Sequence, residues 1–461
     1  MLNKNDIIDL TVTGYSTEGY GVGKYDTMAV FVPFTAIGDK LKVRILKNKK
    51  TYAYGKIEEI IEPSNDRIEN DCKAFTKCGG CSFRHISYEC EAKLKEQRVI
   101  DAFKRIAHID IEPEKILSAE NACRYRNKAQ YPVGKDDKVK LGFFAPHSHR
   151  IVEAADCKLQ PECFEEILNT VRNWIEKNNI SVYNEETHSG LIRHIYLREG
   201  RKTGEILFCL VINGRKIPKE NELINALEKF ENIKSIMLNI NTKDTNVILS
   251  DKFVNLKGDG YIEDILCGLK FRISPLSFYQ VNAHQAQRLY EKAAEFADLK
   301  GDEILLDLYC GTGTIGLTMA HKVKSLIGVE IVEDAIKDAK INARLNGINN
   351  ARFICADASK AAQKLFDEGI KPDVIVIDPP RKGCSKDVLE TINNFNPERI
   401  VYVSCDPATL ARDCRILTDL GYTVKKVCPC DMFPRTAHVE TVVQLSRKTP
   451  DTYIDIKIDL V

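Results

Sequence analysis

From Glu303 to Ser404 the chain alternates short apolar runs with helical stretches, and this alternation constrains the fold more than any other feature. Glu303–Tyr309, Ser325–Glu330, Ala351–Ala356, Val374–Asp378 and Ile400–Ser404 are rich in Val, Ile and Leu. Near-continuous apolar runs of that length are the mark of strands covered on both faces. Helical spacing between them predicts strands wound in parallel into one doubly wound sheet. Such sheets place their ligands at the carboxyl ends of the strands. Those ends hold Cys310-Gly-Thr-Gly-Thr-Ile-Gly316, Glu330, Asp357, Asp378-Pro-Pro-Arg-Lys-Gly383 and Ser404-Cys-Asp-Pro407.

Gly311-x-Gly313-x-x-Gly316, with Glu330 following at about twenty residues, satisfies the dinucleotide pattern and raises a dehydrogenase as one reading. Asp307, however, lies inside the strand that feeds this loop, and the loop has no Lys or Arg to meet a pyrophosphate. Asp357 and Asp378 add acids at the same edge. A rim of carboxylates favours a cationic ligand, and the sulfonium and ammonium of S-adenosylmethionine suit it better. The prolines after Asp378 force a rigid, extended turn at the crevice; in methyltransferases such a turn presents the planar group to be methylated, and a plain strand-ending turn is the alternative. Cys405 ends the fifth strand, where a nucleophile is wanted; the plainer reading is a small buried residue. Cys384 is a rival nucleophile that follows a flexible glycine and is read as incidental.

Upstream the patterns differ. Residues 1–62 carry short alternating runs between Gly- and Pro-bearing turns, which predicts a small β module. From Lys40 to Ile57 there are seven Lys or Arg and no acid, with Tyr52 and Tyr54 interleaved. Basic charge with aromatics suits a phosphate backbone and stacked bases, and a solvated strand face is the alternative. Glu89–Ala107 has the spacing of an amphipathic helix with Leu94, Val99, Ile100, Phe103 and Ile106 on its apolar side. Ile116–Leu269 reads as mixed α and β: an antiparallel sheet with strands at Tyr125–Val133, Leu141–Phe144, Leu191–Arg198, Glu205–Ile212, Ile233–Ile240 and Asn246–Leu249. Two helices, near Phe164–Asn178 and Glu220–Phe230, cover one face. Arg124, Arg126 and Lys128 on one strand, and His188, Arg193 and His194 near another, are read as surface charges.

The chain contains sixteen cysteines, lacks a signal-peptide-like amino terminus and has no apolar run long enough to span a bilayer. A cytoplasmic protein with free thiols or thiolate ligands is therefore expected, without membrane association. Cys72, Cys78 and Cys81, with the paired Gly79 and Gly80, form a compact thiol array. Cys157 is the best fourth ligand, with Cys90, Cys123 and Cys163 as alternatives. Four thiolates suit zinc or an iron–sulfur cluster, and spacing does not choose between them. A net charge of +1 gives no global attraction to nucleic acid, so any such attraction must be local.

Taken jointly, Cys72-x5-Cys78-Gly-Gly-Cys81, Leu306-Asp-Leu-Tyr-Cys-Gly-Thr-Gly313, Asp378-Pro-Pro-Arg381, Ser404-Cys-Asp-Pro407 and His438-Val-Glu-Thr441 resemble the RNA uracil-5-methyltransferase family. The resemblance runs to about residue 446. It implies an OB-like β-barrel (a TRAM domain) at 1–62 and an α+β domain with a four-iron, four-sulfur cluster at 63–274. A Rossmann-like S-adenosylmethionine-dependent α/β domain follows at 275–461. The helix after the cysteine array (about 86–110) is expected to pack on the catalytic domain. By the same resemblance Cys405 is the nucleophile and Glu440 the base, while Gln280, Tyr309, Glu330, Asp357 and Asp378 contact S-adenosylmethionine. Cys72, Cys78, Cys81 and Cys157 are the cluster ligands. The expected partner is RNA, 23S ribosomal RNA before transfer RNA, with the protein a monomer. An RNA-binding protein with an inactive methyltransferase fold, and a methyltransferase acting on a base nitrogen, are the other readings. Residues 447–461 resemble one more strand.

Overall fold

The computed structural model describes residues 2–448, so most of the strand expected at 447–461 lies outside the described residues. The carboxyl-terminal sheet has seven strands, in the spatial order Ala351–Cys355, Ser325–Glu330, Ile304–Leu308, Val374–Ile377, Arg399–Ser404, Glu440–Arg447 and Tyr422–Cys430. The first five are mutually parallel. Glu440–Arg447 runs antiparallel to Arg399–Ser404, so it begins at the edge where the parallel strands end. One face of this sheet packs on the helix Ala283–Ala297 through Ala286, Leu289 and Phe296. The other carries Leu365, Leu389 and Leu410 from the intervening helices. Val99, Ala102 and Phe103, just beyond the cysteine array, join that same layer.

That helix spans Tyr88–Ala102 and ends in a π turn at Phe103–Ala107. Its expected apolar side is partly wrong. Ile106 is 41% exposed, whereas Glu91 and Lys95 are buried. Lys95 Nζ donates to Glu91 Oε1 at 2.7 Å and to Asp431 Oδ1 at 2.6 Å, and Tyr88 Oη donates to Asp431 Oδ2 at 2.8 Å. Charged groups occupy core positions here because each has a charged partner.

The central sheet also has seven strands, but it is mixed and not antiparallel as expected: Ile206–Ile212 and Ile233–Ile240 pair in parallel, because the helix Glu220–Leu227 between them carries the chain back across the sheet. Helices Cys163–Lys177 and Glu220–Leu227 cover one face through Phe164, Ile167, Val171 and Leu223. The strand expected at Asn246–Leu249 is a loop, because Asn241 Nδ2 turns back to the carbonyls of Val247 and Ile248 at 2.7 and 3.0 Å. The edge strand is Phe253–Lys257. At the amino terminus a six-stranded sheet encloses Leu10, Val12, Val30, Val32, Val43 and Ile45. Three of its basic residues are paired: Lys40 with Glu62, Lys42 with Glu59 and Arg44 with Glu58, each at 2.8 Å. Phe31, Tyr52 and Tyr54 form a ring cluster, with centroids 5.6–5.9 Å apart. No helix among the described residues is long and apolar enough to cross a membrane.

Candidate active site

The antiparallel strand brings the two expected catalytic residues to one edge. Ser404 pairs with Thr441, so Cys405 and Glu440 follow and precede partners in the same register. Cys405 lies at the turn into the helix Pro407–Asp419, whose N-cap Asp406 accepts from Ala408 N and Thr409 N at 2.9 and 3.0 Å. Glu440 is 5% exposed. Burial, with Asp378 nearby, pushes its carboxyl up to about 8, while Arg381 acts in the opposite direction. The Cys405 thiol is pushed up to about 11 by burial, with Glu440 and Asp378 adding and Arg381 opposing. Arg381 thus acts as a cation on both groups, a role its position in the Asp-Pro-Pro-Arg turn did not disclose.

Two more carboxyls line the crevice. Burial pushes Asp378 up to about 7. Asp307 is pushed up to about 8 by burial, with Asp378 and Glu330 adding. Its Oδ2 accepts from Gly316 N at 2.9 Å, while Oδ1 is buried without a hydrogen-bond partner. A Cβ at Gly316 would stand 2.6 Å from that Oδ2, so only glycine lets the loop close on Asp307. Glu330 accepts from Gly311 N at 3.2 Å, Ile331 N at 2.8 Å and Val332 N at 2.9 Å. Buried acids without a paired cation, one with an orphaned oxygen, fit a positively charged ligand.

The remaining expected contacts are less uniform. Tyr309 sits at φ +67° between the first strand and the glycine loop, half-buried. Gln280 is held by its backbone, whose carbonyl accepts from Asn127 Nδ2 at 3.0 Å. Asp357 caps the helix Ala358–Asp367, accepting from Ser359 Oγ at 2.6 Å and Ser359 N at 3.1 Å. Cys384 lies behind the crevice: it is 6% exposed, and its backbone N–H donates to Asp413 Oδ2 at 2.8 Å. Tyr402 Oη donates to the same carboxylate at 2.7 Å. Asp413 therefore holds the turn after Asp378 from below, a role visible only in three dimensions.

These raised carboxyls fix a sign for stability. Between about pH 4 and pH 8 the folded protein keeps protons on Asp307, Asp378 and Glu440 that the unfolded chain has released, so stability falls as pH rises. The ligand-free protein is expected to melt at progressively lower temperature from about pH 5 to about pH 9. Glu440→Gln should stabilise it at the alkaline end by on the order of 1–3 kcal/mol. A melting temperature independent of pH in both proteins would contradict the arrangement.

Away from the crevice, Cys72 and Cys78 pack with Ala74, Ala145 and Val152. Burial pushes Cys81 up to about 12, with Arg84 opposing and Cys157, Cys78 and Cys72 adding. Cys157 is raised by burial, with Cys78 and Cys72 adding. Gly79 has φ +66°, and a Cβ there would meet Pro146 Cγ at 2.5 Å. Buried Tyr131, which has Cys157 among its neighbours, has a hydroxyl without a partner. Yet among the described residues no three His, Cys, Asp or Glu side chains stand close enough to hold a metal ion. The expected iron–sulfur centre is therefore not shown.

Compared with known proteins, residues 201–448 match the family model described as tRNA (uracil-5-)-methyltransferase, and residues 2–57 match the TRAM domain. The chain belongs to that methyltransferase family. An uncharacterized RNA methyltransferase of Clostridium tetani is 47% identical, with 96% of this chain and 97% of that protein covered. One from Halalkalibacterium halodurans is 44% identical over 97% of this chain and 98% of its own length. Among solved structures, the Pyrococcus abyssi tRNA (uracil-54, C5)-methyltransferase in complex with S-adenosyl-L-homocysteine is 28% identical. It superposes with a TM-score of 0.78 over 95% of this chain and 99% of that one. The protein is thus an S-adenosylmethionine-dependent RNA methyltransferase, with a TRAM domain ahead of a methyltransferase fold. In this methyltransferase Glu330→Ala is expected to weaken S-adenosylmethionine binding by roughly 1.5–3 kcal/mol, measured by calorimetry. Unchanged affinity would remove Glu330 from the cofactor site.

Proposed function

We propose that the enzyme methylates carbon 5 of a uridine in RNA, with Cys405 as nucleophile and Glu440 as base. The supporting observation is the register that sets Cys405 and Glu440 together at one strand edge, above Asp378. Carbon 5 of uracil is too weak a nucleophile to take a methyl group unaided. The Cys405 thiolate adds to carbon 6, and the ring becomes an enolate whose carbon 5 attacks an electrophilic methyl. Glu440 then removes the proton from carbon 5, and the Cys405–carbon bond breaks to return the thiolate and 5-methyluridine. When bound, S-adenosylmethionine supplies that methyl and a positive charge that draws Cys405 and Glu440 toward thiolate and carboxylate. Glu330 would accept from its ribose hydroxyls, and Gln280, Tyr309 and Asp378 would face its reactive half. Asp357 would reach it only by giving up part of its capping role.

A base inside folded RNA must be flipped out before Cys405 reaches it. The Tyr52–Tyr54 cluster and the unpaired Lys47, Lys49, Lys50 and Lys56 of the amino-terminal module would hold the strand meanwhile. Domains at 1–62, 63–274 and 275–461, and a monomer, accompany this reading. Ribosomal RNA is the substrate we favour over transfer RNA. Nucleoside mass spectrometry of both RNAs, from cells with and without the gene, tests it: one 5-methyluridine should disappear, and unchanged RNA would refute it.

We also propose that Cys72, Cys78, Cys81 and Cys157 hold a four-iron, four-sulfur cluster. The half-buried thiols, the glycine turn at Gly79 and the orphaned Tyr131 hydroxyl support it. Anaerobically purified protein should be brown, with iron and acid-labile sulfide in equal amounts. Colourless protein with one zinc would exclude the cluster.

A further inference from the structure

Glu440 opens the strand Glu440–Arg447, and its partner across the ladder is Cys430, the last residue of the preceding strand. The loop 431–439 between them therefore delivers Glu440 to the crevice edge. Carbonyls of this loop are taken by donors from distant parts of the chain. Gln285 Nε2 donates to Asp431 O, Asn282 Nδ2 to Met432 O and Tyr125 Oη to Pro434 O, each at 3.0 Å. The backbone N–H groups of Ser82 and Phe83 donate to Arg435 O at 2.8 and 3.1 Å. Arg435 itself sits at φ +69°, a conformation that a residue with a Cβ keeps only where its surroundings hold it.

The helix Tyr88–Ala102 supplies the rest of the hold. Tyr88, Glu91, Lys95 and Arg98 recur at three- and four-residue intervals, so they lie along one side of it. All four reach the loop. Tyr88 Oη donates to Asp431 Oδ2, and Lys95 Nζ donates to Asp431 Oδ1 and, at 3.1 Å, to Phe433 O. Glu91 Oε1 accepts from the backbone N–H of Arg435 at 2.7 Å. Arg98 Nη1 donates to Ala437 O at 2.6 Å, three residues before Glu440. Lys95 thus stands between two buried carboxylates, one at the start of the loop and one holding its strained residue. Without its ammonium, Glu91 and Asp431 become uncompensated buried acids, and both anchors weaken together. Val99 and Ala102 of the same helix pack in the methyltransferase core, which makes it a fixed support.

We infer that this polar side of the helix positions Glu440, with Lys95 and Arg98 as positioning residues, and thereby governs elimination rather than methyl transfer. The role rests on the reading of Glu440 as base. A base acts only within hydrogen-bond reach of its proton, and a displacement of about 1 Å costs on the order of a hundredfold. Cys405 is held from another direction, by the parallel strand Arg399–Ser404 and the cap at Asp406, so addition and methyl transfer do not depend on the loop.

Single-turnover transfer of a labelled methyl group at saturating RNA, resolved on a denaturing gel, separates the two steps. Lys95→Met should keep methyl transfer within about threefold of wild type and slow release of methylated RNA by roughly ten- to hundredfold, so enzyme–RNA adduct accumulates. Arg98→Met leaves the core charges intact and should slow release severalfold. Arg98→Lys should restore release, because its ammonium still donates to Ala437 O. Hydrogen exchange should quicken at 431–440 and stay unchanged at 399–404 in both methionine variants. Wild-type affinity for S-adenosylmethionine shows that a variant folds; if Lys95→Met lacks it, the two Arg98 variants decide. Methyl transfer and release that fall in proportion, with no adduct, would overturn the positioning role, as would wild-type release in Arg98→Met. Free turnover in Glu440→Gln would refute the base instead, and hydrogen exchange would then decide whether the helix holds the loop.

Discussion

Cys405→Ala is expected to lower methyl transfer by roughly four orders of magnitude or more, the scale of removing a nucleophile that acts together with its base. Without the bond to carbon 6, carbon 5 never gains the electron density to attack a methyl group, and positioning alone does not replace it. Affinities for RNA and S-adenosylmethionine should change little, because Cys405 is a small side chain at the rim of a preformed crevice. Cys384→Ala is the control. Its thiol lies behind the crevice near Tyr402 and Asp413, so this variant should lose some stability and keep its turnover. Single-turnover transfer of a labelled methyl group separates the two, and equal rates in wild type and Cys405→Ala would remove Cys405 from the reaction.

Glu440→Gln should fail at a different step. The amide keeps the shape of the side chain but cannot accept the proton from carbon 5. Addition by Cys405 and methylation proceed, elimination stalls, and enzyme bonded to methylated RNA accumulates on a denaturing gel. Tritium at the 5-position should be released by wild type and retained in this adduct. In wild type the elimination step needs Glu440 ionised, and its carboxyl is held up at about 8 before the sulfonium binds. Elimination from the adduct, and with it release of the methylated RNA, should therefore rise with pH through that region. Free turnover in Glu440→Gln would assign the proton to another base.

How much of this was readable beforehand follows physical lines. The parallel sheet was legible because its strands are buried on both faces, and its acids sit at strand ends by position in the chain alone. Glu440 was different: only the pairing of Ser404 with Thr441 puts it beside Cys405, and residues at that separation carry no local signal. The helix beginning at Tyr88 was given too simple an apolar side because Lys95 and Glu91 are buried by Asp431, a partner 336 residues from Lys95. The basic run from Lys40 looked unopposed because Glu58, Glu59 and Glu62 lie just past it and fold back across the antiparallel ladder. Asp357 was read as a ligand contact from its place after a strand, and the same place makes it a helix cap.

The central claim is a covalent bond between Cys405 and carbon 6 of a uridine, and it is tested most directly by RNA in which the target carries 5-fluorouridine. Fluorine at carbon 5 cannot leave as a proton does, so the adduct is trapped after methyl transfer. Digestion of the complex and mass spectrometry should find one peptide, containing Cys405, carrying the methylated fluorinated nucleotide. A nucleotide on the Cys384 peptide, or methylated RNA with no protein attached, would contradict the account.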